Sequence, residues 1–91
     1  MEEQKLTSTQ VCAEISKSCD NFRRGVQEAI EHIAFLTEDS GSNSDLWYKA
    51  LAGYEMYNGK AAKAKDTIKK DEYCGQAFAY GILMEIISPE K

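Results

Sequence analysis

A chain of 91 residues with a formal net charge of −4 holds one domain, small enough that its core must be efficient or shared with a partner. Hydrophobic residues make up 43% and charged residues 29%, a globular composition rather than a disordered one. One Pro and six Gly exclude a collagen-like or low-complexity chain, and no run of about 18 apolar residues exists to span a membrane.

The opening Met1-Glu2-Glu3-Gln4-Lys5 is acidic and polar, without the basic and apolar regions of a secretory signal. From here the chain reads as cytoplasmic. Downstream, apolar or small residues recur at Cys12, Ile15, Cys19, Phe22, Val26, Ala29, Ile33 and Leu36, in steps of 3 and 4. This is a heptad stripe, and it predicts a helix over 8–36, roughly 40 Å long. Thr7 to Gln10 fits a capping box, with Leu6 and Val11 at the staple positions. Gly25 interrupts the helix at a cost of about 1 kcal/mol relative to Ala and marks a place for a kink.

Thr37 to Ser44 is polar and rich in turn formers, so it reads as a loop. Asn43 or Ser44 is expected to cap a second helix, with Asp45 in its first turn. That helix carries Leu46, Trp47, Ala50, Leu51, Tyr54 and Tyr57 on one broad face, and Asn58-Gly59 is expected to end it. Lys60–Lys70 holds five lysines and one acid, Asp66, and reads as a short amphipathic helix. The rest of the chain carries 14 acids against 6 basic residues, so an acidic body bears one basic strip. Asp71 is expected to cap a last helix over 72–87, apolar nearly all round and stopped by Pro89. The fold class is all-α: a single domain over 1–91, a bundle of three to four helices with a long N-terminal one.

The spacing Phe22-x-x-Gly25-Val26-x-x-x-Ile30 is echoed by Phe78-x-x-Gly81-Ile82-x-x-x-Ile86. Both glycines read as points where another helix backbone passes close by. Cys12, Cys19 and Cys74 are an odd count, a poor disulfide framework. On one helix, Cys12 and Cys19 lie about 10.5 Å apart along the axis, beyond disulfide reach. All three are expected to be reduced, mostly buried thiols. With His32 they lack the close ligand pairs of a zinc site, so no metal or cofactor is expected. His32 is the only histidine and follows Glu31 on the flank of the stripe. No nucleophile–base–orienter set, phosphate loop or nucleophile elbow is present, and the chain is read as no enzyme.

Trp47, Tyr48, Tyr54 and Tyr57 lie within eleven residues, and such side chains anchor interfaces. At helical spacing they also fit a core. Trp47 is read mainly as core, and Tyr48, which projects off the stripe, as the better contact residue. Lys63, Lys69 and Lys70 are candidates for phosphate contact. The overall acidity weighs against a dedicated nucleic-acid binder. Residues 28–55 hold six acids and one Lys, which suits a basic partner or a DNA mimic.

Trp47-x-x-Ala50-Leu51-x-x-Tyr54, followed by Gly59 and Ala64, resembles the first half of a tetratricopeptide repeat over about 20 residues. It departs at the turn spacing and lacks the later Pro. The resemblance implies a helical hairpin. Separately, Cys19-x-x-Phe22-x-x-Gly25-Val26 resembles a segment of about ten residues in periplasmic immunity proteins that neutralise type VI amidase effectors. That resemblance implies toxin neutralisation, but the signal peptide and the downstream half of the pattern are missing.

The expected function is a non-enzymatic protein–protein interaction module, a small acidic regulator or inhibitor of a larger protein, of the kind phages and mobile elements encode. Nucleic-acid binding through Lys60–Lys70 and toxin or effector immunity are the alternatives. The long helix 8–36 and the apolar helix 72–87 carry more apolar surface than 91 residues easily bury. A homo-oligomer, most simply a dimer, is therefore expected through one of them.

Overall fold

The structure, a computed structural model, describes residues 7–87 and contains three helices: α1 Ser8–Asp39, α2 Asn43–Lys63 and α3 Thr67–Ile86. Leu6 and Pro89, read above as staple and stop residues, lie outside the described residues. No strand occurs among the described residues.

α1 starts as its sequence specifies. The Thr7 hydroxyl accepts from the Gln10 N–H at 3.2 Å, and the Gln10 side chain accepts from the Thr7 N–H at 2.8 Å, a complete capping box. The helix runs three residues beyond the expected end. Thr37 Oγ1 donates to the Ile33 carbonyl and Ser40 Oγ to the Leu36 carbonyl, so polar side chains satisfy the last turn. Ser42, one residue before the expected caps, caps α2 by accepting from the Asp45 N–H at 3.1 Å. The turn is clamped electrostatically. Lys49 reaches both Asp39 (3.3 Å) and Asp45 (3.2 Å), and the Gly41 N–H donates to Asp45. The Gly41 N–H and then Lys49 hold the Asp45 carboxyl below its ordinary range.

The expected fourth helix does not form. α2 runs straight through Asn58-Gly59 because its last turn has something to bury: Ala61 is 6% exposed, and the Lys60 ammonium sits over the rings of Tyr57 and Tyr73. The break falls at Ala64, whose backbone is extended. Asp66, not Asp71, caps α3 by accepting from the Ile68 N–H at 3.0 Å. Asp71 and Glu72 instead hold α1. Asn21 Nδ2 donates to Asp71 at 3.4 Å, and Arg24 pairs with Glu72 at 3.0 Å.

α3 lies between the other two helices, which barely touch one another. Asn21 meets Asp71, Glu28 meets Gln76 and His32 meets Tyr80, so α1 and α3 run parallel. Tyr57 meets Tyr73, Gly53 meets Tyr80 and Tyr54 meets Gly81, so α2 runs antiparallel to α3. The molecule measures 58 × 23 × 21 Å. Its radius of gyration of 16.4 Å exceeds the roughly 12 Å of a compact domain this long.

Small residues dominate the core: Ala29 and Ala50 are fully buried, with Ala77 and Ala79 nearly so. Tyr80, at 1%, is the large buried side chain among them. Leu36 and Leu46 close the end near the first turn. Gly25 is a helix crossing, as its context suggested: a Cβ there would overlap the Glu72 carbonyl of α3. Its counterpart is Gly75, where a Cβ would overlap the Phe22 carbonyl of α1. Gly81 marks no backbone crossing; it faces the Tyr54 ring. The three cysteines are free but exposed rather than buried.

Gly25→Ala or Gly75→Ala should each destabilise the fold by about 2 kcal/mol or more, because backbone must move, even though Ala is the better helix former. Gly59→Ala meets open space and should stabilise by about 0.5–1 kcal/mol. Urea unfolding of the three variants checks both signs.

Candidate protein-interaction surface

Cys74, Phe78, Ile82 and Ile86 follow one another at four-residue steps, which places them on one stripe of α3. α1 occupies the side of Gly75 and Ala79, and α2 the side of Gly81 and Met84. The Phe22 ring of α1 packs against Phe78, centroids 5.4 Å apart, but neither helix covers the stripe between. Phe78 is 53% exposed, Ile82 42% and Ile86 72%. On the α1 side the stripe borders a groove of about 230 Å³, lined by Val26, Ile30 and Ile33 and almost wholly apolar. On the α2 side it borders a wider groove of about 670 Å³, walled by Trp47, Tyr54 and Met84, with Glu85 among its lining residues. Phe78 and Ile82 line both grooves and form the ridge between them. The result is one continuous apolar surface carried on three helices.

Trp47 and Tyr54 share a face of α2 because they are seven residues apart, and both line the wider groove. Tyr48 is 65% exposed and stands edge-on to Trp47, ring centroids 5.1 Å apart. Tyr57 does not join them. It stacks on Tyr80 at 6.0 Å and lies against Tyr73, away from both grooves. Lys63 ends α2, and Lys69 and Lys70 stand in the first turn of α3, all exposed. The turn at Ala64–Asp66 breaks the lysine strip, so these cations surround a corner instead of lining one helix face.

The ridge itself was not singled out from the sequence. Its signal was present in Phe78, Ile82 and Ile86 at helical spacing, but in a helix apolar nearly all round no stripe is marked as the outer one. Ile30, 49% exposed on α1, belongs to the same surface and was read as widening the core stripe.

His32 hydrogen-bonds through Nδ1 with the Tyr80 hydroxyl, and its ring meets that of Tyr80 edge-on. The histidine is thus engaged in holding α1 to α3 rather than paired with Cys74. Gln76, buried, donates to Glu28 at 3.2 Å across the same pair of helices. Among the described residues no cluster of three or more His, Cys, Asp or Glu is placed to hold a metal ion. No helix among the described residues is long and apolar enough to cross a membrane. Comparison with protein-family models, curated proteins and solved structures finds no match to this chain.

Burial, reinforced by the neighbouring Tyr57, pushes the Tyr80 phenol up to about 12. The folded state therefore prefers the neutral phenol. Its contribution is intact below the unfolded value of 10 and is lost as pH climbs from about 10 towards 12, a loss on the order of 2 kcal/mol. Tyr80→Phe should abolish that alkaline step while costing about 1 kcal/mol near neutrality for the lost bond to His32. Urea midpoints of both proteins across this alkaline range test the assignment.

Proposed function

We propose that this chain acts by contact: a non-enzymatic, acidic interaction module that docks on a larger protein and regulates or inhibits it. The observation that supports this is the α3 ridge. Phe78, Ile82 and Ile86 are large apolar side chains left outside the core, beside grooves that hold Trp47 and Tyr54. A ridge flanked by grooves suits a partner that presents apolar side chains to either side of it. Aromatic residues at such a place anchor interfaces, and the acidic surroundings favour a partner with a basic rim. Self-association belongs to the same reading, since a single copy leaves apolar residues of both α1 and α3 uncovered. The phage or mobile-element origin and the cytoplasmic setting remain parts of this proposal.

Capture of partners on the tagged full chain, from a lysate of its source cells, tests the reading when run with variants. Phe78→Asp and Ile82→Asp should weaken a stoichiometric protein partner at least tenfold. The triple change of Lys63, Lys69 and Lys70 to Glu should leave it bound. Circular dichroism should show both ridge variants folded, since the positions are exposed. The opposite pattern, with nuclease-sensitive material lost from the lysine variant, would replace this reading by nucleic-acid binding around the α2–α3 corner.

A further inference from the structure

Among the described residues, the start of α1 projects beyond the other two helices. α3 starts at Thr67 and meets α1 at Asn21, through Asp71. Every residue from Thr7 to Lys17 is exposed. At 1.5 Å per residue, roughly 18 Å of helix projects from the body. A helix of this length is marginal in water on its own. Yet it carries Val11 (39% exposed), Cys12, Ile15 (58%) and Cys19, the continuation of the stripe that α3 covers further along.

We infer that a second copy of this chain covers this segment, the two α1 tips pairing as a short antiparallel coiled coil. The inference rests on the self-association included in the proposed function. The pattern of the segment supports a helix like itself as the occupant. Cys12, Ile15, Cys19 and Phe22 form the seam; of the residues flanking it Val11, Ser16 and Ser18 are uncharged, and Arg23, beside Phe22, is the one charge. Glu14, Lys17 and Asp20 stand on the back, where Lys17 pairs with Glu14 and Arg23 with Asp20. Between Val11 and Cys19 no charge enters the seam; at its root Arg23 borders Phe22 and pairs with Asp20 of its own helix.

Charge also sets the orientation. Residues 7–24 contain two acidic and three basic residues, whereas residues 25–87 contain ten acidic and six basic. The tips therefore meet with little net repulsion. Antiparallel pairing places the two acidic bodies at opposite ends, while parallel pairing would set them side by side. Antiparallel pairing centred on Lys17 opposes Ile15 to the partner copy's Cys19, and Cys12 to its Phe22. The far end of each tip then reaches a groove of about 480 Å³ at the root of the other projection, lined by Ser18, Cys19, Phe22, Arg23 and Val26.

Sedimentation equilibrium of the full chain under reducing conditions should show a reversible dimer at micromolar concentration. Ile15→Asp should raise its dissociation constant about 100-fold or more by burying an unpaired charge, while the monomer still melts cooperatively and without the concentration dependence of the parent. For orientation, Ile15→Cys combined with Cys12→Ser and Cys74→Ser should give, on mild oxidation, a covalent dimer joining the introduced thiol to Cys19 of the other copy. A monomer throughout would overturn self-association itself. A dimer indifferent to Ile15→Asp but lost in Ile82→Asp would overturn the α1 site and move the contact to the ridge. A Cys19-to-Cys19 bridge as the main product would overturn the antiparallel arrangement.

Discussion

The backbones of α1 and α3 come so close at Gly25 and Gly75 that neither position has room for a side chain. Each glycine lies against the carbonyl of the opposite helix, Glu72 in one case and Phe22 in the other. This reciprocal approach sets the register of the pair. With it fixed, Arg24 reaches Glu72, Asn21 reaches Asp71, Glu28 reaches Gln76 and His32 reaches Tyr80. The helix propensity lost at two glycines is offset by dispersion contacts between closely packed backbones and by these polar pairs along one seam.

Close packing on small residues has a consequence for the rest of the surface. A core built from Ala29, Ala50, Ala77 and Ala79 leaves little space for branched or aromatic side chains, and only Tyr80 among the large ones is fully enclosed. Leu83 and Met84 pack against the edge of this core, while Phe78, Ile82 and Ile86 of α3 are left turned outward. Because α1 and α2 flank α3 and scarcely meet, they leave this stripe open and border it with two grooves. The exposed apolar surface is thus a by-product of how the core was assembled. The same geometry sets the bare tip of α1: α3, at 20 residues, covers only part of a 32-residue helix.

Charge is arranged around these apolar surfaces rather than within them. Lys49 bridges Asp39 and Asp45 at the first turn, and Arg24 pairs with Glu72 on the seam. The lysines of the basic strip gather at the opposite corner, where Lys60 lies over two tyrosine rings. The apolar ridge has a single acid, Glu85, among the residues that line its grooves. In the proposed role, specific attraction there would come from shape and from the aromatic residues, with the acidic body contributing long-range steering.

Much of the local structure was legible in the sequence. The heptad stripe, the Thr7–Gln10 box and the polar turn located α1 and the start of α2, because caps and periodicity are properties of a few adjacent residues. The tetratricopeptide-like spacing implied a helical hairpin, but α2 runs unbroken through the turn that repeat would make and the chain reverses only at Ala64–Asp66. Local signals failed where tertiary contacts outweighed them. Gly59 stops a helix only when the turn beyond it has nothing to bury, and Ala61 and Lys60 supply that burial. Asp71 looks like a cap until α1 lies beside it and takes it as a partner. The sequence likewise marked Trp47 and Tyr54 as special, along with Tyr57, but could not show that the first two border a groove while Tyr57 faces the other way. It also could not show which side of α3 remains open. On a helix apolar nearly all round, composition says only that burial is favourable. Which residues are covered depends on where neighbouring helices come to rest, and two glycines decided that here.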